Sequence, residues 1–283
     1  MANKSNSFEL FRYQILPVDR FFQRDMFTDF SSIEDLLTNK NTIFKESLLS
    51  QNDFSNKKHY TVVKKQLDDG EFFLFKIAHN KIINRETKEF KNERIDNWPS
   101  ILVALWNHPE KQLIAVQKRT TAFHNCRKVV ELILEKLAPQ LTHSNLRVIY
   151  EPLFEKQYFW DLLKLHQGKI KSVDFEFITP NMANISGCLS EDLKSFAKTT
   201  NSTRNNLRIE SEPDSTLRLD KDNPTLESMV NYTGDGGGNI TLKVGGIKKS
   251  IQTSRTVKEI VLSDIEMTGE ANMIVNAMKE LLK

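Results

Sequence analysis

Along residues 8–16 the chain reads Phe-Glu-Leu-Phe-Arg-Tyr-Gln-Ile-Leu, aromatic and aliphatic positions broken by single polar ones. That pattern predicts an opening β-strand. Ser31-Ser32 then precede Ile33, Leu36, Leu37, Ile43, Phe44, Leu48 and Leu49, which recur at helical spacing behind a hydroxyl cap. Residues 60–66 and 71–78 are strand-like and flank Asp68-Asp69-Gly70, a sharp hairpin signal. A second hairpin is predicted where residues 101–106 and 112–117 flank Asn107-His108-Pro109-Glu110. Val129, Val130, Ile133, Leu134 and Leu137 form one apolar face, so residues 121–137 read as a helix.

The second half repeats the mixture. Residues 146–150 and 170–178 read as strands, with a helix over 154–166 between them that Gly168 closes. A short helix is predicted over 189–198, and strands over 207–211 and 215–219 around Pro213-Asp214. Residues 224–232 form a helix that has Pro224 near its start. The run Asp235-Gly236-Gly237-Gly238-Asn239 turns the chain into a strand over 240–244, and 257–262 is a last strand. Ile274, Val275, Met278, Leu281 and Leu282 mark an amphipathic helix over 271–282. These elements predict an α+β fold of two domains, each a mixed, mostly antiparallel sheet with packed helices. The polar turn Thr142-His143-Ser144-Asn145 sets the expected domains at 1–142 and 143–283.

Composition narrows the classes without choosing among them. In 283 residues, 40 Lys and Arg face 37 Asp and Glu, and 39 % of residues are hydrophobic, which excludes wholesale disorder and fibrous repeats. The net charge of +3 is too small to announce a polyanion partner, so any such partner must be sought in how the charge is distributed. The 18 phenylalanines, including Phe21-Phe22 and Phe72-Phe73 with Phe75, read first as core anchors and second as base-stacking platforms. Two cysteines, Cys126 and Cys188, exclude a disulfide framework and suggest reduced, buried thiols. No apolar run approaches a membrane span, and Met1 to Ser7 lacks a signal-peptide core, so a cytoplasmic protein is expected.

Catalytic motifs are sparse. His59, His79, His108, His124, His143 and His166 share no metal-ligand spacing. His124 and Cys126 lie two residues apart, a spacing at which helical side chains point in different directions. A metal-dependent nuclease would need an acidic residue on one strand and an acid-x-Lys pair on the next. The nearest matches are Glu89-Phe90-Lys91, with Asp68 or Asp69 upstream, and Asp174-Phe175-Glu176, which lacks the lysine. The segment from Gly234 to Ser250 has the glycines of a phosphate loop but leads into a strand, with no helix N-terminus to hold a phosphate. A flexible hairpin whose glycines lie close to a nucleic-acid backbone is the expectation there.

The charge is unevenly distributed. Residues 111–130 hold Lys111, Lys118, Arg119, Arg127 and Lys128 with no Asp or Glu, and residues 236–258 hold Lys243, Lys248, Lys249, Arg255 and Lys258, again with none. Lys57, Lys58, Lys64 and Lys65 form a third cluster. The first two stretches also carry hydroxyl and amide donors, including Thr120, Asn125, Gln252 and Ser254, a mixture suited to backbone phosphates. The candidate DNA-binding residues are therefore Lys118, Arg119, Arg127, Lys128, Lys243, Lys248, Lys249 and Arg255. No base-reading motif accompanies them, so binding should show little sequence preference and strong salt dependence.

The middle of the chain resembles the RexA family of prophage-encoded exclusion proteins. The likeness begins at the hairpin turning on Gly70, with Phe72-Phe73-Leu74-Phe75. It includes Trp98-Pro99-Ser100-Ile101-Leu102-Val103 and the strand that runs into Lys118-Arg119-Thr120. It continues through Arg147-Val148-Ile149-Tyr150-Glu151-Pro152-Leu153 to Val173-Asp174-Phe175-Glu176-Phe177, spanning residues 60–180. Residues 11–17 and the Gly-rich region after Tyr232 depart from the family's pattern. The resemblance implies a cytosolic homodimer that binds DNA without strict sequence preference, acts against phage superinfection and is paired with a membrane protein encoded nearby. It places Lys118 and Arg119 at a strand end where the family also has a basic residue. The expectation is a non-catalytic DNA-binding sensor or adaptor of a bacterial anti-phage system, with no cofactor and no metal. The alternatives are a metal-dependent nuclease and a protein–protein interaction module docking through the C-terminal helix.

Overall fold

A computed structural model describes residues 6–20, 30–55, 60–178, 191–263, 267 and 269–282. Cys188, His59, Lys57, Lys58 and Phe21-Phe22 fall outside them. The first strand, β1 (Ser7–Pro17), organises the molecule. It is followed by α1 (Ile33–Leu49), capped by the Ser32 hydroxyl, which accepts the Asp35 N–H at 3.1 Å. The hairpin β2 (Thr61–Asp68) and β3 (Phe72–His79) turns at Gly70. The hairpin β6 (Ser100–His108) and β7 (Lys111–Gln117) is also as expected. Between them residues 81–97, for which the sequence pattern predicts no strand, form a ribbon of their own, β4 (Lys81–Glu86) and β5 (Asn92–Asn97). The helix α2 (Cys126–His143) starts five residues later than expected because Asn125 caps it, and Pro139 does not end it.

Next come β8 (Leu146–Pro152), α3 (Lys156–Leu165), β9 (Ile170–Ile178), α4 (Glu191–Thr199) and β10 (Arg204–Glu210). The chain ends with α5 (Pro224–Tyr232), β11 (Gly238–Val244), the short β12 (Ile251–Gln252), β13 (Glu259–Val261) and α6 (Ala271–Leu281). The strand expected over 215–219 does not form; Leu217 donates one bond to Ile170, but β10 takes the place beside β9.

The strands make a seven-stranded sheet, ordered β13-β1-β7-β6-β3-β2 with β8 also on β1, a four-stranded sheet, β10-β9-β11-β12, and the separate β4-β5 ribbon. All pairings are antiparallel, in keeping with the expected α+β class. The expected division at residue 142 does not separate the two sheets. β8 pairs with β1 from Phe11↔Pro152 to Pro17↔Leu146, and β13 pairs with it at Ser7↔Val261. The physical reason is that β1, buried along nearly its whole length, needs a hydrogen-bonding partner on each edge. The first half supplies only β7, and the second half returns twice to cover the other edge.

Alternation along β1 explains the layers. Phe11, Tyr13 and Ile15 face the core under α1 and α2, with Phe44, Val130, Ile133 and Leu137. Phe8 and Leu10 face the other way, with Ile274, Val275 and Met278 of α6. The amphipathic C-terminal helix therefore packs on its own sheet, which uses the face that a docking partner would need. The second sheet buries Val173, Phe175, Phe177, Ile240 and Leu242 against α3 and α5. Each such side chain contributes on the order of 2–3 kcal/mol of transfer free energy.

Farther along β1, Arg12 and Gln14 occupy the α6-side face beyond the reach of that helix. Arg12 is buried under the Gly-rich turn and donates Nε–H to the Asp235 carbonyl. That turn, Thr233–Gly237, is not an exposed loop: Thr233, Gly234, Gly236 and Gly237 are buried. Gly236 has φ +83°, and a Cβ there would meet the Arg12 side chain. Gly238 has φ +155°, and a Cβ there would run into the Glu176 carbonyl. The glycines allow close backbone packing inside the protein, so the expected approach to a nucleic-acid backbone is corrected.

Candidate nucleic-acid interface

The two acid-free basic stretches, more than a hundred residues apart, meet at one cleft. One wall is the N-terminus of α2. The N-cap Asn125 accepts the Arg127 N–H at 2.8 Å, and no acidic residue occupies the first turn. The opposite wall is β12 and the one-turn helix Thr253–Arg255. Thr253 is fully buried and its hydroxyl bonds Asn239, while the Ser254 N–H reaches the same Asn239 side chain at 3.0 Å. These bonds fix the turn against β11. The Arg127 guanidinium reaches across to the Ser254 carbonyl at 3.4 Å. The cleft is about 370 Å³ and is lined by His124, Asn125, Arg127, Gln252, Ser254 and Arg255. Glu9 and Val257 complete it.

Its electrostatics are graded. Glu9 of β1 is half-buried, and desolvation raises its pKa above 4.5, against the pull of Lys118. Lys118 sits 3.8 Å from Glu9 and also bonds Glu259 of β13. Its hydrogen bond to Glu259 raises the lysine pKa. Burial works against the Glu259 carboxylate, yet the bonds from Lys118 and Ser7, with the lysine's charge, hold it below the usual value. A helix N-terminus and two arginines thus line the cleft around Glu9, whose charge Lys118 offsets.

The eight candidate residues do not behave alike. Lys118 is tied to two carboxylates and Lys128 to Glu131 at 2.8 Å. Arg119 donates to the Ser100 carbonyl at 2.8 Å, and Arg127 to that of Ser254, so both keep their charge while being oriented. Lys243, Lys248, Lys249 and Arg255 are exposed. Lys248 and Lys249 lie in the turn between β11 and β12. The structure therefore places Arg127 and Arg255, of the eight, on the lining of one cleft. Gln252, one of the amide donors noted in the second stretch, also lines the cleft, as does His124, whose only sequence signal for binding is its place inside the first stretch.

The chemistry considered for catalysis is engaged elsewhere. The Cys126 thiol donates to the Val116 carbonyl at 3.7 Å, and burial pushes its pKa to about 12. Asp174 and Glu176 face Arg208 and Arg204 of β10, and Arg204 also holds Glu151 at 3.0 Å. Asp68 pairs with Lys65, Asp69 with Lys279, and Glu89 with Lys88. Among the described residues no group of three or more His, Cys, Asp or Glu side chains is placed to hold a metal. None of their helices is long and apolar enough to cross a membrane. No protein-family model matches the chain, and no curated protein matches it.

Proposed function

We propose that this protein is a non-catalytic DNA-binding sensor or adaptor of a bacterial anti-phage system, of the RexA-like kind. The observation that carries the reading is the meeting of Arg127 and Arg255 across one cleft at the N-terminus of α2. Cations, amide donors and a helix N-terminus acting on one anion suit a phosphate of a nucleic-acid backbone. The sequence carries no base-reading motif, so affinity comes from charge and falls steeply with salt.

The cleft lies between the first sheet, through β1 and α2, and the second, through β12 and its following turn. A bound phosphate backbone would tie the two together and bias their relative orientation, which is the signal to a partner. The resemblance supplies the rest of the proposal: a homodimer, presenting two clefts to one duplex, and a membrane-protein partner encoded nearby. The test is a mobility shift with long duplex DNA at low ionic strength. A salt-sensitive shift that Arg127→Ala with Arg255→Ala weakens supports the reading, and no shift by the wild type refutes it. Incubation with DNA and magnesium or manganese addresses the nuclease alternative. Cleavage lost in Glu176→Gln would replace the adaptor reading.

A further inference from the structure

The β4–β5 ribbon is left over once both cores are assigned. Its strands pair with no other strand of the described residues, and its side chains are exposed or half-exposed throughout. Ile82 is 64 % and Ile83 43 % exposed. At the tip, residues 87–91, Phe90 is 86 % exposed, the most exposed large apolar side chain described.

Phe90 also holds φ +58°. The other described non-glycine residues at positive φ are Asn145 and Asn201, whose type tolerates that region; a phenylalanine does so only under strain. The tip is nonetheless well defined. Thr87 N–H donates to the Lys91 carbonyl and Phe90 N–H to the Thr87 carbonyl, both at 2.9 Å. The Thr87 hydroxyl accepts from Glu89 N–H at 3.3 Å and Lys91 N–H at 3.4 Å. A glycine would fit this turn without strain, and a polar residue would suit its exposure. Phenylalanine satisfies neither demand, so its presence calls for an external contact.

The root of the ribbon points to that contact. Lys81 Nζ donates to the Thr121 carbonyl at 2.7 Å, and Arg119 reaches the Ser100 carbonyl just after β5. The root of the ribbon is therefore tied by these bonds to the first acid-free stretch, the same segment that runs on to Asn125 and the cleft. Lys88, exposed and ion-paired with Glu89 at 3.7 Å, and Lys91 flank the ring in sequence. Two strands about 4.8 Å apart fit a DNA groove, and six residues per strand give a reach of roughly 20 Å.

We propose that this ribbon is a DNA-engaging arm whose Phe90 inserts as an apolar wedge between base steps and kinks the duplex. It rests on the DNA-binding reading above. Exposed apolar residues at the tip of a groove-entering element unstack a step, and the bent duplex then wraps more of the protein surface. Here the wrap would bring the backbone from the arm along residues 119–125 toward Arg127 and Arg255.

The test uses the full chain and a 30-base-pair duplex carrying a donor and an acceptor dye at its ends. Anisotropy reports binding, and energy transfer reports bending. The wild type should bind and raise the transfer efficiency. Phe90→Gly suits the turn, so it should keep binding within about fivefold and lose the bend, while Phe90→Met should retain it. Equal bending by wild type and Phe90→Gly, or binding with no bend, overturns the wedge and leaves the cleft reading standing. No binding by the wild type overturns the cleft reading as well. A fall in oligomer size in Phe90→Gly, seen by sedimentation with bending unchanged, assigns the arm to a second copy of the chain and overturns the wedge.

Discussion

Replacing Arg127 and Arg255 by alanine should change how binding responds to salt, by an amount the structure sets. Of the eight candidate cations, Lys118 is neutralised by Glu9 and Glu259, and Lys128 by Glu131. Arg119 and Arg127 spend hydrogen bonds on neutral carbonyls and keep their charge, and Lys243, Lys248, Lys249 and Arg255 are exposed. Six charges per chain are thus available to phosphates. Each phosphate neutralised contributes about −0.9 to the slope of log K against log salt, so engagement of all six gives a slope of roughly −5 per chain. The double variant should lower its magnitude by about 1.8. Lys128→Met with Glu131→Gln, which removes an already neutral pair, should leave it unchanged. Fluorescence anisotropy of a labelled duplex titrated at several potassium chloride concentrations measures all three slopes. A double variant with the wild-type slope would refute the cleft as a phosphate site. An equal loss in the Lys128–Glu131 control would show that internal pairing does not decide which cations count.

Other consequences follow from the same contacts. Because burial raises the folded-state pKa of Glu9, its penalty is absent below about pH 4.5 and grows as pH rises through the raised value. Glu9→Gln should therefore raise Tm by roughly 1–3 °C at pH 7.5 and do little at pH 4, checked by calorimetry. Glu259, held below its usual value, should behave oppositely: Glu259→Gln lowers Tm at pH 7.5, and the deficit shrinks as pH falls below 4.5. Gly238→Ala forces a Cβ onto the Glu176 carbonyl and should cost at least about 2 kcal/mol in urea unfolding; a neutral result would contradict the packing of β11 on β9. Cys126, with its pKa at about 12, should be alkylated at pH 8 roughly a thousandfold more slowly than an unperturbed thiol, and at the ordinary rate in denaturant. Peptide mass spectrometry locates the label.

Local pattern was enough wherever a segment's own neighbours decide its state. The Ser32 cap, the Gly70 turn and the apolar faces of α1, α2 and α6 are visible because period, cap and turn chemistry act within a few residues. The β4–β5 ribbon was missed because both its faces are solvated, so it lacks the alternation that marks a half-buried strand. The strand over 215–219 has that alternation and still does not form, since β10 already fills the edge of β9. Which of the basic residues stay free was also hidden. Lys118 lies in an acid-free stretch, but its partners Glu9 and Glu259 come from the two ends of the chain.

By itself the order of residues determined the α+β class, most of the elements and the two stretches of unopposed charge. Only the tertiary structure decided that β1 draws its partners from both halves and that α6 is occupied by its own sheet. It likewise decided that the glycines after Tyr232 pack against Arg12 and Glu176, and that Arg127 meets Arg255. The physical reason is range. Periodicity, capping and turn preference act over a few residues, whereas edge pairing, burial and charge neutralisation depend on which distant segments the closed sheet brings into contact.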